Sequence, residues 1–283
     1  MEPIIKVQCL KHTYPDKTEV NFCGNDFFVY PGERVAILGA NGSGKTTLLL
    51  HVLGLLAPLE GFVQVMGHDP VKDFSFIRKN LGVLLQNTDE QIIGPRVFDD
   101  IAFTLSNQKV EKSIIETKVR DIADVLGIGD ILNKVPHYLS GGQKKKVALA
   151  GALITLPRIL ILDEPFDSLD PRSKADIIRL MNRMNKEHGI TIVTTTHDVN
   201  IAYEIADRIF VIDKGKTLIS GTPEEVFSKA ELLLDASLEP PILSALFQRL
   251  KNRNKNMGIP YTLDAAEKEI LDKMVFKDAG SNG

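Results

Sequence analysis

The sequence predicts an α/β protein with a largely parallel central sheet, and two segments of the 283-residue chain indicate this fold. In the first, the apolar residues 35–38 lead into the pattern Gly-Ala-Asn-Gly-Ser-Gly-Lys-Thr at residues 39–46, and a helix-like stretch follows. A strand that turns through glycines into a helix is typical of a phosphate-binding loop. In the second, the apolar, β-rich residues 159–162 end in Asp163 and Glu164, as expected for a buried parallel strand.

Two further parts of the chain are predicted from periodicity and turn residues. Residues 7–30 alternate short strands with turns, which predicts an antiparallel β subdomain before the central strand. Residues 87–157 are predicted to form a helical insertion, in which the best-defined helix runs over residues 111–126 and stops at Gly127.

The segment after the second acidic strand returns to alternating helix and strand. A helix over residues 173–188 is expected to end at Gly189, and a strand over residues 190–195 follows it. Residues 209–212 and 217–219 are predicted to form a hairpin, because a short polar turn containing glycine separates two apolar runs.

The phosphate-binding loop (residues 39–46) has residue types that suit a nucleotide. Glycines let backbone N–H groups approach phosphate oxygens, and the N-terminus of the following helix adds partial positive charge. Lys45 is expected to reach the β- and γ-phosphates, and the Thr46 hydroxyl to ligate Mg²⁺. The predicted nucleotide-binding residues of this region are Gly39, Asn41, Gly42, Ser43, Gly44, Lys45, Thr46 and Thr47.

Asp163 and Glu164 supply the acids that nucleotide hydrolysis needs. Asp163 suits the Mg²⁺ shell, and Glu164, one position further, suits a base that orients and polarises the attacking water. Taken alone, the two carboxylates could equally cap the next helix, whereas their combination with the phosphate-binding loop favours a hydrolytic site.

Residues 139–143, with the sequence Leu-Ser-Gly-Gly-Gln, match the signature of ABC-type ATPases. Together with the phosphate-binding loop, they make the chain resemble ABC transporter ATP-binding subunits over roughly residues 4–228. The resemblance implies ATP and Mg²⁺ as cofactors. It also implies a P-loop ABC-type ATPase fold over residues 1–226, with an antiparallel β subdomain and a helical insertion, followed by a small C-terminal domain.

The resemblance implies roles for single residues as well. Tyr14 stands where these proteins place an aromatic ring on adenine. Gln86 matches the glutamine that links nucleotide to transport partner, and it joins Thr46 and Asp163 as an implied Mg²⁺ ligand. His197 matches a histidine that senses the γ-phosphate. The implied catalytic residues are Glu164, His197, Gln86 and Lys45.

The signature opens a helix, so the backbone N–H groups of Ser140, Gly141 and Gly142 form a second anion-binding end. By the family resemblance, this end and Gln143 close on ATP held by another subunit. Residues 168–170 match the loop that crosses the dimer. One loop and one signature per chain therefore predict a head-to-tail pair, made with an identical subunit or a related paralogue.

Two segments resemble a subfamily. Residues 86–91 and 97–103 are similar to energy-coupling-factor ATPases, including those of cobalt and nickel importers, and residues 257–264 resemble the tail of the same importers. Residues 227–283 are expected to form a C-terminal dimerisation domain. Its predicted helix has an apolar face of Ile242, Leu243, Leu246, Phe247 and Leu250, which could instead pack within one subunit.

The functional hypothesis is an ATP-hydrolysing subunit of an energy-coupling-factor-type importer of a metal ion (cobalt or nickel) or a vitamin. The resemblance implies a transmembrane coupling protein and a substrate-capture membrane protein as partners, and a place at the cytoplasmic face of the cell membrane. The alternative is a soluble ABC ATPase in iron–sulfur assembly or another non-transport role. A purely binding role fits less well, because Glu164 and His197 suit hydrolysis.

Composition adds limits on partners and compartment. A net charge of −3 gives no general case for nucleic-acid binding, and Lys144, Lys145 and Lys146 are expected to form a solvated helix face. Cys9 and Cys23 are expected to be lone thiols in a reducing compartment. The first residues lack a secretion signal, and the most apolar stretch is broken by Pro157, so membrane contact is expected through a partner.

Overall fold

A computed structural model describes residues 1–22, 26–253, 257–260 and 263–273 of the chain. The N-terminal part is an antiparallel sheet of four strands. In it, β1 pairs with β5 along one edge and with β2 and β3 along the other, which confirms the predicted antiparallel subdomain. The strands are β1 (Ile5–Thr13), β2 (Glu19–Phe22), β3 (Phe27–Val29) and β5 (Glu60–Val65).

The second sheet has six strands in the order β10-β9-β4-β8-β7-β6, and every pairing is parallel except that of β9 with β10. The predicted α/β class and the terminal hairpin are thus confirmed. These strands are β4 (Arg34–Leu38), β6 (Leu81–Leu84), β7 (Ile159–Asp163), β8 (Thr191–Thr196), β9 (Arg208–Asp213) and β10 (Lys216–Gly221).

The helices divide into those around the sheets and those of the insertion. The insertion comprises α3 (Thr88–Gln91), α4 (Val97–Asn107), α5 (Lys112–Leu126), α6 (Gly141–Leu153) and two 3₁₀ turns, Gly129–Ile131 and Pro136–Tyr138. The others are α1 (Lys45–Val52), α2 (Phe74–Ile77), α7 (Pro171–His188), α8 (Val199–Ile205), α9 (Pro223–Phe227), α10 (Ala230–Asp235), α11 (Ile242–Arg253) and α12 (Leu263–Lys273).

Glycines end the two longest helices where the sequence predicts. Gly127 after α5 and Gly189 after α7 adopt left-handed φ values of 63° and 65°, and each donates its N–H to a carbonyl of the preceding helix. Left-handed backbone suits glycine because no Cβ is present to clash. The predicted stops of both helices are therefore confirmed.

The six-stranded sheet separates two hydrophobic cores. In β4, Ala36 and Leu38 lie in a core shared with the insertion, α7 and α8, which we call the insertion-side core. Val35 and Ile37 lie in a core shared with the antiparallel sheet and α1, which we call the loop-side core. The alternation follows from the two-residue period of a strand buried on both faces.

The C-terminal segment is attached to the insertion-side core. Leu233 and Leu238 are buried in the same core as Phe227. In α11, Phe247 is fully buried, whereas Ile242 is 77% exposed and Leu246 is 47% exposed. The predicted apolar face is thus divided between the interior and the surface. The domain boundary after residue 226 stays a prediction, and residues 261–262 of the tail-like stretch lie outside the described residues.

One expectation about the cysteines is wrong. Cys9, in β1, is disulfide-bonded, whereas the sequence suggested a lone thiol. Cys23 lies outside the described residues. Spacing along a chain does not reveal which cysteines a sheet brings together, since that depends on strand register. The inference of a reducing compartment from free thiols therefore has no support.

Within the described part of the chain, none of the helices combines the length and the apolar character that crossing a bilayer requires.

Candidate active site

The phosphate-binding loop joins β4 to α1, and its backbone is shaped by glycine. Gly42 and Gly44 have φ values of +78° and +104°, which side chains rarely tolerate. A Cβ on Gly44 would also approach the Phe22 ring to 3.3 Å. Gly44 is the N-cap of α1, so the N–H groups of the first turn are available to an anion.

Ser43 provides an observation of its own that fits a phosphate. Its hydroxyl oxygen is buried and has no hydrogen-bond partner among the described residues. Buried polar atoms are normally paired. A phosphate oxygen in the loop would supply an acceptor for this hydroxyl, so the residues present fit the phosphates of a nucleotide.

Lys45 lies at the centre of the loop. Its Nζ donates to the carbonyl oxygens of Gly39, at 2.8 Å, and Ala40, at 3.2 Å. The same Nζ lies 3.1 Å from Glu164 Oε1, and both side chains are almost fully buried. The structure thereby brings the predicted phosphate-contacting lysine and the predicted base into one ion pair.

A cavity of about 380 Å³ lies over the loop. Tyr14 lines it, as do residues 41–47, and Gln86 and Glu164 belong to the same lining. The Tyr14 hydroxyl lies 2.8 Å from Thr47 Oγ1, so the ring is tied to α1. The structure therefore places Tyr14, the loop and Gln86 around a single space, as the sequence predicts for a nucleotide site.

The carboxyl ends of β7, β8 and β4 lie side by side, because Asp163 is in register with Thr195 and Thr196 with Leu38. Asp163 Oδ2 accepts a 3.1 Å hydrogen bond from Thr46 Oγ1, and Asp163 Oδ1 accepts one of 2.5 Å from Thr195 Oγ1. The adjacent strands thus connect the acidic strand end to the phosphate-binding loop.

Glu164 also contacts the histidine that follows β8. Its Oε2 lies 3.2 Å from His197 Nδ1, and the His197 side chain is 48% exposed whereas Glu164 is buried. A carboxylate held between a lysine and a half-exposed imidazole can orient a water molecule that approaches from the cavity.

Two sets of residues could hold a cation here. Thr46 and Asp163 offer oxygen atoms that already contact each other. Separately, one ligand atom from each of Glu164, Asp167 and His197 lies within 4.8 Å of the others. Because Mg²⁺ prefers oxygen ligands, the first set suits Mg²⁺ better than a set that includes an imidazole.

The signature lies apart from this cavity. Ser140 caps α6, accepting from the Gln143 N–H, while the Gln143 side chain accepts from the Ser140 N–H. Ser140 and Gly141 are exposed, and no signature residue belongs to the lining of the cavity over the loop. Within one chain, the structure does not bring the signature to the phosphate-binding loop.

A sequence profile described as ABC transporter matches residues 24–167, about half of the chain. The chain belongs to the ABC transporter family. As a member, it is an ATPase, and the predicted family resemblance is confirmed.

Relatives of this ABC ATPase match most of its length. The energy-coupling factor transporter ATP-binding protein EcfA of Methanoculleus marisnigri is 40% identical over 250 residues, which cover 88% of this chain and 90% of that protein. The structure of CbiO1 from Clostridium perfringens, described as part of the ABC transporter complex CbiONQ, is 35% identical with a TM-score of 0.74, covering 88% of this chain and 100% of CbiO1.

A third relative was solved as a dimer. The ATP-binding cassette MJ0796, in a post-hydrolysis state bound to ADP and Pi, is 25% identical with a TM-score of 0.70. The match covers 77% of this chain and 98% of that one.

The expectation that the three lysines after the signature form a solvated helix face is wrong. Lys144 Nζ lies 2.5 Å from Asp89 Oδ1, and Lys146 Nζ lies 2.9 Å from Asp176 Oδ2. Lys145 is only 7% exposed and donates to backbone carbonyls of the β7–α7 loop (residues 164–170). The sequence gives no signal for these contacts, because each depends on an element distant along the chain.

Proposed function

We propose that this ABC ATPase is the energy-supplying subunit of an energy-coupling-factor-type importer of a metal ion, such as cobalt or nickel, or of a vitamin. The proposal rests on the similarity to EcfA, which extends well beyond residues 24–167. The similarity to CbiO1 supports it, since that protein is part of a transporter complex.

In the proposed site, ATP occupies the cavity over the phosphate-binding loop, with adenine against Tyr14. Lys45 offsets phosphate charge, and Glu164 orients and polarises the attacking water while His197 holds the carboxylate. Thr46, Asp163 and Gln86 would hold Mg²⁺, which supplies neutralisation of the phosphate oxygens when bound.

We further propose that a second subunit completes each site with its own signature. The exposed start of α6 presents N–H groups that suit the γ-phosphate side of a nucleotide held by another chain. ATP would then close a head-to-tail pair, and hydrolysis would allow it to open. The head-to-tail arrangement is supported by the absence of signature residues from the lining of the cavity over the loop within one chain.

A second cavity, of about 700 Å³, suits the membrane partner. It lies between the insertion and the sheet, and Ile93 and Phe103 line it alongside Arg78 and Gly82. Ile93 is 65% exposed and Phe103 is 47% exposed, so apolar surface faces this groove. We propose that a short cytoplasmic helix of the transmembrane coupling protein docks here, which would hold the ATPase at the cytoplasmic face of the membrane.

The test is co-expression of this chain with the membrane proteins encoded beside its gene. A polytopic membrane protein should co-purify, and Phe103→Asp should abolish its recovery. Leu59→Asp is the matched control, because Leu59 is an exposed apolar residue outside the groove. Co-purification of soluble proteins alone would instead favour a non-transport ABC ATPase.

A further inference from the structure

We infer that Lys145 is a positioning residue for ATP hydrolysis, because it fixes the backbone of Glu164 through the carbonyl oxygens of the β7–α7 loop. The inference rests on one part of the proposed function, the role of Glu164 toward water. It assigns a task to a lysine that lies outside the phosphate-binding loop and outside the signature.

The contacts of Lys145 converge on a single loop. Its Nζ donates to the carbonyl oxygen of Glu164 at 3.1 Å and to that of Asp167 at 2.6 Å. These two carbonyls belong to the turn that leads from the acidic strand end toward α7. One ammonium group therefore fixes both ends of a four-residue segment that begins with the proposed base.

Burying this ammonium group is costly, since a desolvated charge must be compensated by partners. Burial lowers the pKa of Lys145, while the neighbouring charges of Asp167 and Glu164 act against this shift and Lys174 adds to it. A neutral long side chain would fill the same space without that cost. The two hydrogen bonds from Nζ to the loop carbonyls explain why a lysine stands at this buried position.

The backbone that Lys145 supports is a disfavoured one. Glu164 has φ of 46° and Ser168 has φ of 58°, both in the left-handed region that non-glycine residues seldom adopt. Such conformations persist where surrounding contacts determine them, and they cluster at functional sites. The β7–α7 loop needs fixed partners to keep this form.

Glu164 has a partner on each side of its backbone. Its N–H donates to Thr195 Oγ1 at 2.9 Å, and its carbonyl accepts from Lys145 Nζ at 3.1 Å and, less closely, from the Asp167 N–H at 3.4 Å. β8 thus holds one peptide group and α6 the other, with the carboxylate directed to Lys45 and His197. Loss of the Lys145 donor should leave this carbonyl only the longer bond within its own loop and let the carboxylate leave the position from which it contacts His197.

The experiment compares steady-state ATP hydrolysis by full-length Lys145→Met, Lys145→Gln and Lys146→Met variants. Lys145→Met should lower kcat about 10-fold or more, the scale of a misplaced catalytic group, with KM for ATP nearly unchanged. Lys145→Gln keeps one donor and should recover part of kcat. Lys146→Met removes a comparably covered lysine that pairs with Asp176 on α7, and it should keep near-normal kcat.

A double-variant cycle separates positioning from general disruption. In the Glu164→Gln background, Lys145→Met should add little further loss of residual hydrolysis in single-turnover assays, since its effect passes through the missing carboxylate. The inference would be overturned if the double variant lost activity by the product of the two single-variant losses. Equal losses in Lys145→Met and Lys146→Met would overturn it as well. If Lys145→Met loses its cooperative melting transition, Lys145→Gln becomes the deciding variant. A kcat of Lys145→Gln equal to that of the parent protein would then overturn the inference. Normal turnover in the Glu164→Gln single variant would reject Glu164 as the base. The comparison of Lys145→Met with Lys146→Met would still show whether Lys145 affects hydrolysis.

Discussion

Lys45 Nζ and Glu164 Oε1 lie 3.1 Å apart, and both side chains are almost completely shielded from water. The ion pair joins the phosphate-binding loop to the end of β7. Removing one partner of such a pair leaves an uncompensated buried charge, whereas changing both together costs less. The pair therefore links the stability of the fold to the residues proposed for hydrolysis, and both can be tested with the same variants.

Replacing Glu164 with Gln should stop hydrolysis without stopping nucleotide binding. The amide preserves the shape but cannot accept a proton, so turnover should fall by at least about 10²-fold, the lower range for a positioned base. ATPase turnover and equilibrium nucleotide titration check this. Glu204→Gln, at an exposed position of α8, is the control. Near-normal turnover in Glu164→Gln would remove Glu164 from the hydrolytic role.

The Lys45–Glu164 pair should show strong coupling in a stability cycle. Lys45→Met alone should lower the free energy of unfolding by about 3 kcal/mol or more, because the Glu164 charge stays buried beside a weakened set of partners. Adding Glu164→Gln should restore part of that loss. Chemical denaturation of both single variants and the double variant measures the coupling. Additive effects would mean that the two charges do not depend on each other.

Exposed apolar residues of the C-terminal helices should mediate pairing between subunits when ATP is absent. We propose that Ile242 and Leu246 of α11, with Leu263 and Leu271 of α12, form this contact, because each of them leaves a large apolar side chain exposed to water. A permanent contact would keep the two sites at high effective concentration between turnovers.

The variant Ile242→Glu/Leu246→Glu should be monomeric without nucleotide and dimeric with Mg-ATP in the Glu164→Gln background. Light scattering gives the mass in each condition. Ile114→Glu, on the exposed side of α5, is the matched control and should keep the parent's mass. Truncation after Glu239 is a second test that spares the buried Leu233 and Leu238. A nucleotide-free dimer of the double variant would exclude this contact.

His51 should make the fold sensitive to acid. Its ring is fully buried behind the phosphate-binding loop, with Nδ1 2.8 Å from the Thr47 carbonyl oxygen and the His12 ring 4.9 Å away. Burial, and to a lesser degree His12, lower the pKa of His51 from its ordinary value of 6.5, against an opposing effect of the Thr47 carbonyl.

The sign follows from proton uptake. Below pH 6.5 the unfolded chain gains a proton at this ring before the folded chain does, so stability falls as pH drops through that range. The melting temperature should decrease between about pH 7.5 and about pH 5.5, and His51→Gln should show a smaller decrease. An equal decrease of the melting temperature in the parent protein and in His51→Gln would show that other groups cause the acid sensitivity.

Sequence reasoning reached the local features of the fold and of the candidate site. The glycines of the phosphate-binding loop and the stops at Gly127 and Gly189 depend on neighbouring residues, so their signals lie within a few positions. The convergence of the loop with Asp163 and His197 also follows from simple topology, since parallel strands end at one edge.

The features that sequence reasoning missed depend on contacts between distant elements. Three adjacent lysines contact Asp89, the β7–α7 loop and Asp176, and no local pattern distinguishes this from a solvated face. The disulfide at Cys9 is of the same kind, because the positions of cysteines along the chain do not reveal which of them come together in the fold. The left-handed backbone at Glu164 could not be foreseen either, since glycine would be the usual residue there.

The division of β4 between the loop-side core and the insertion-side core has a consequence for how the molecule opens. Neighbouring residues of one strand take part in different packing units, so each unit can loosen while the hydrogen bonds of the shared sheet persist. Amide hydrogen exchange should then give different opening rates for α1, in the loop-side core, and for α5 and α7, in the insertion-side core. A partner that binds the insertion would then be able to loosen the insertion-side core while the loop-side core keeps the phosphate-binding loop in its binding conformation.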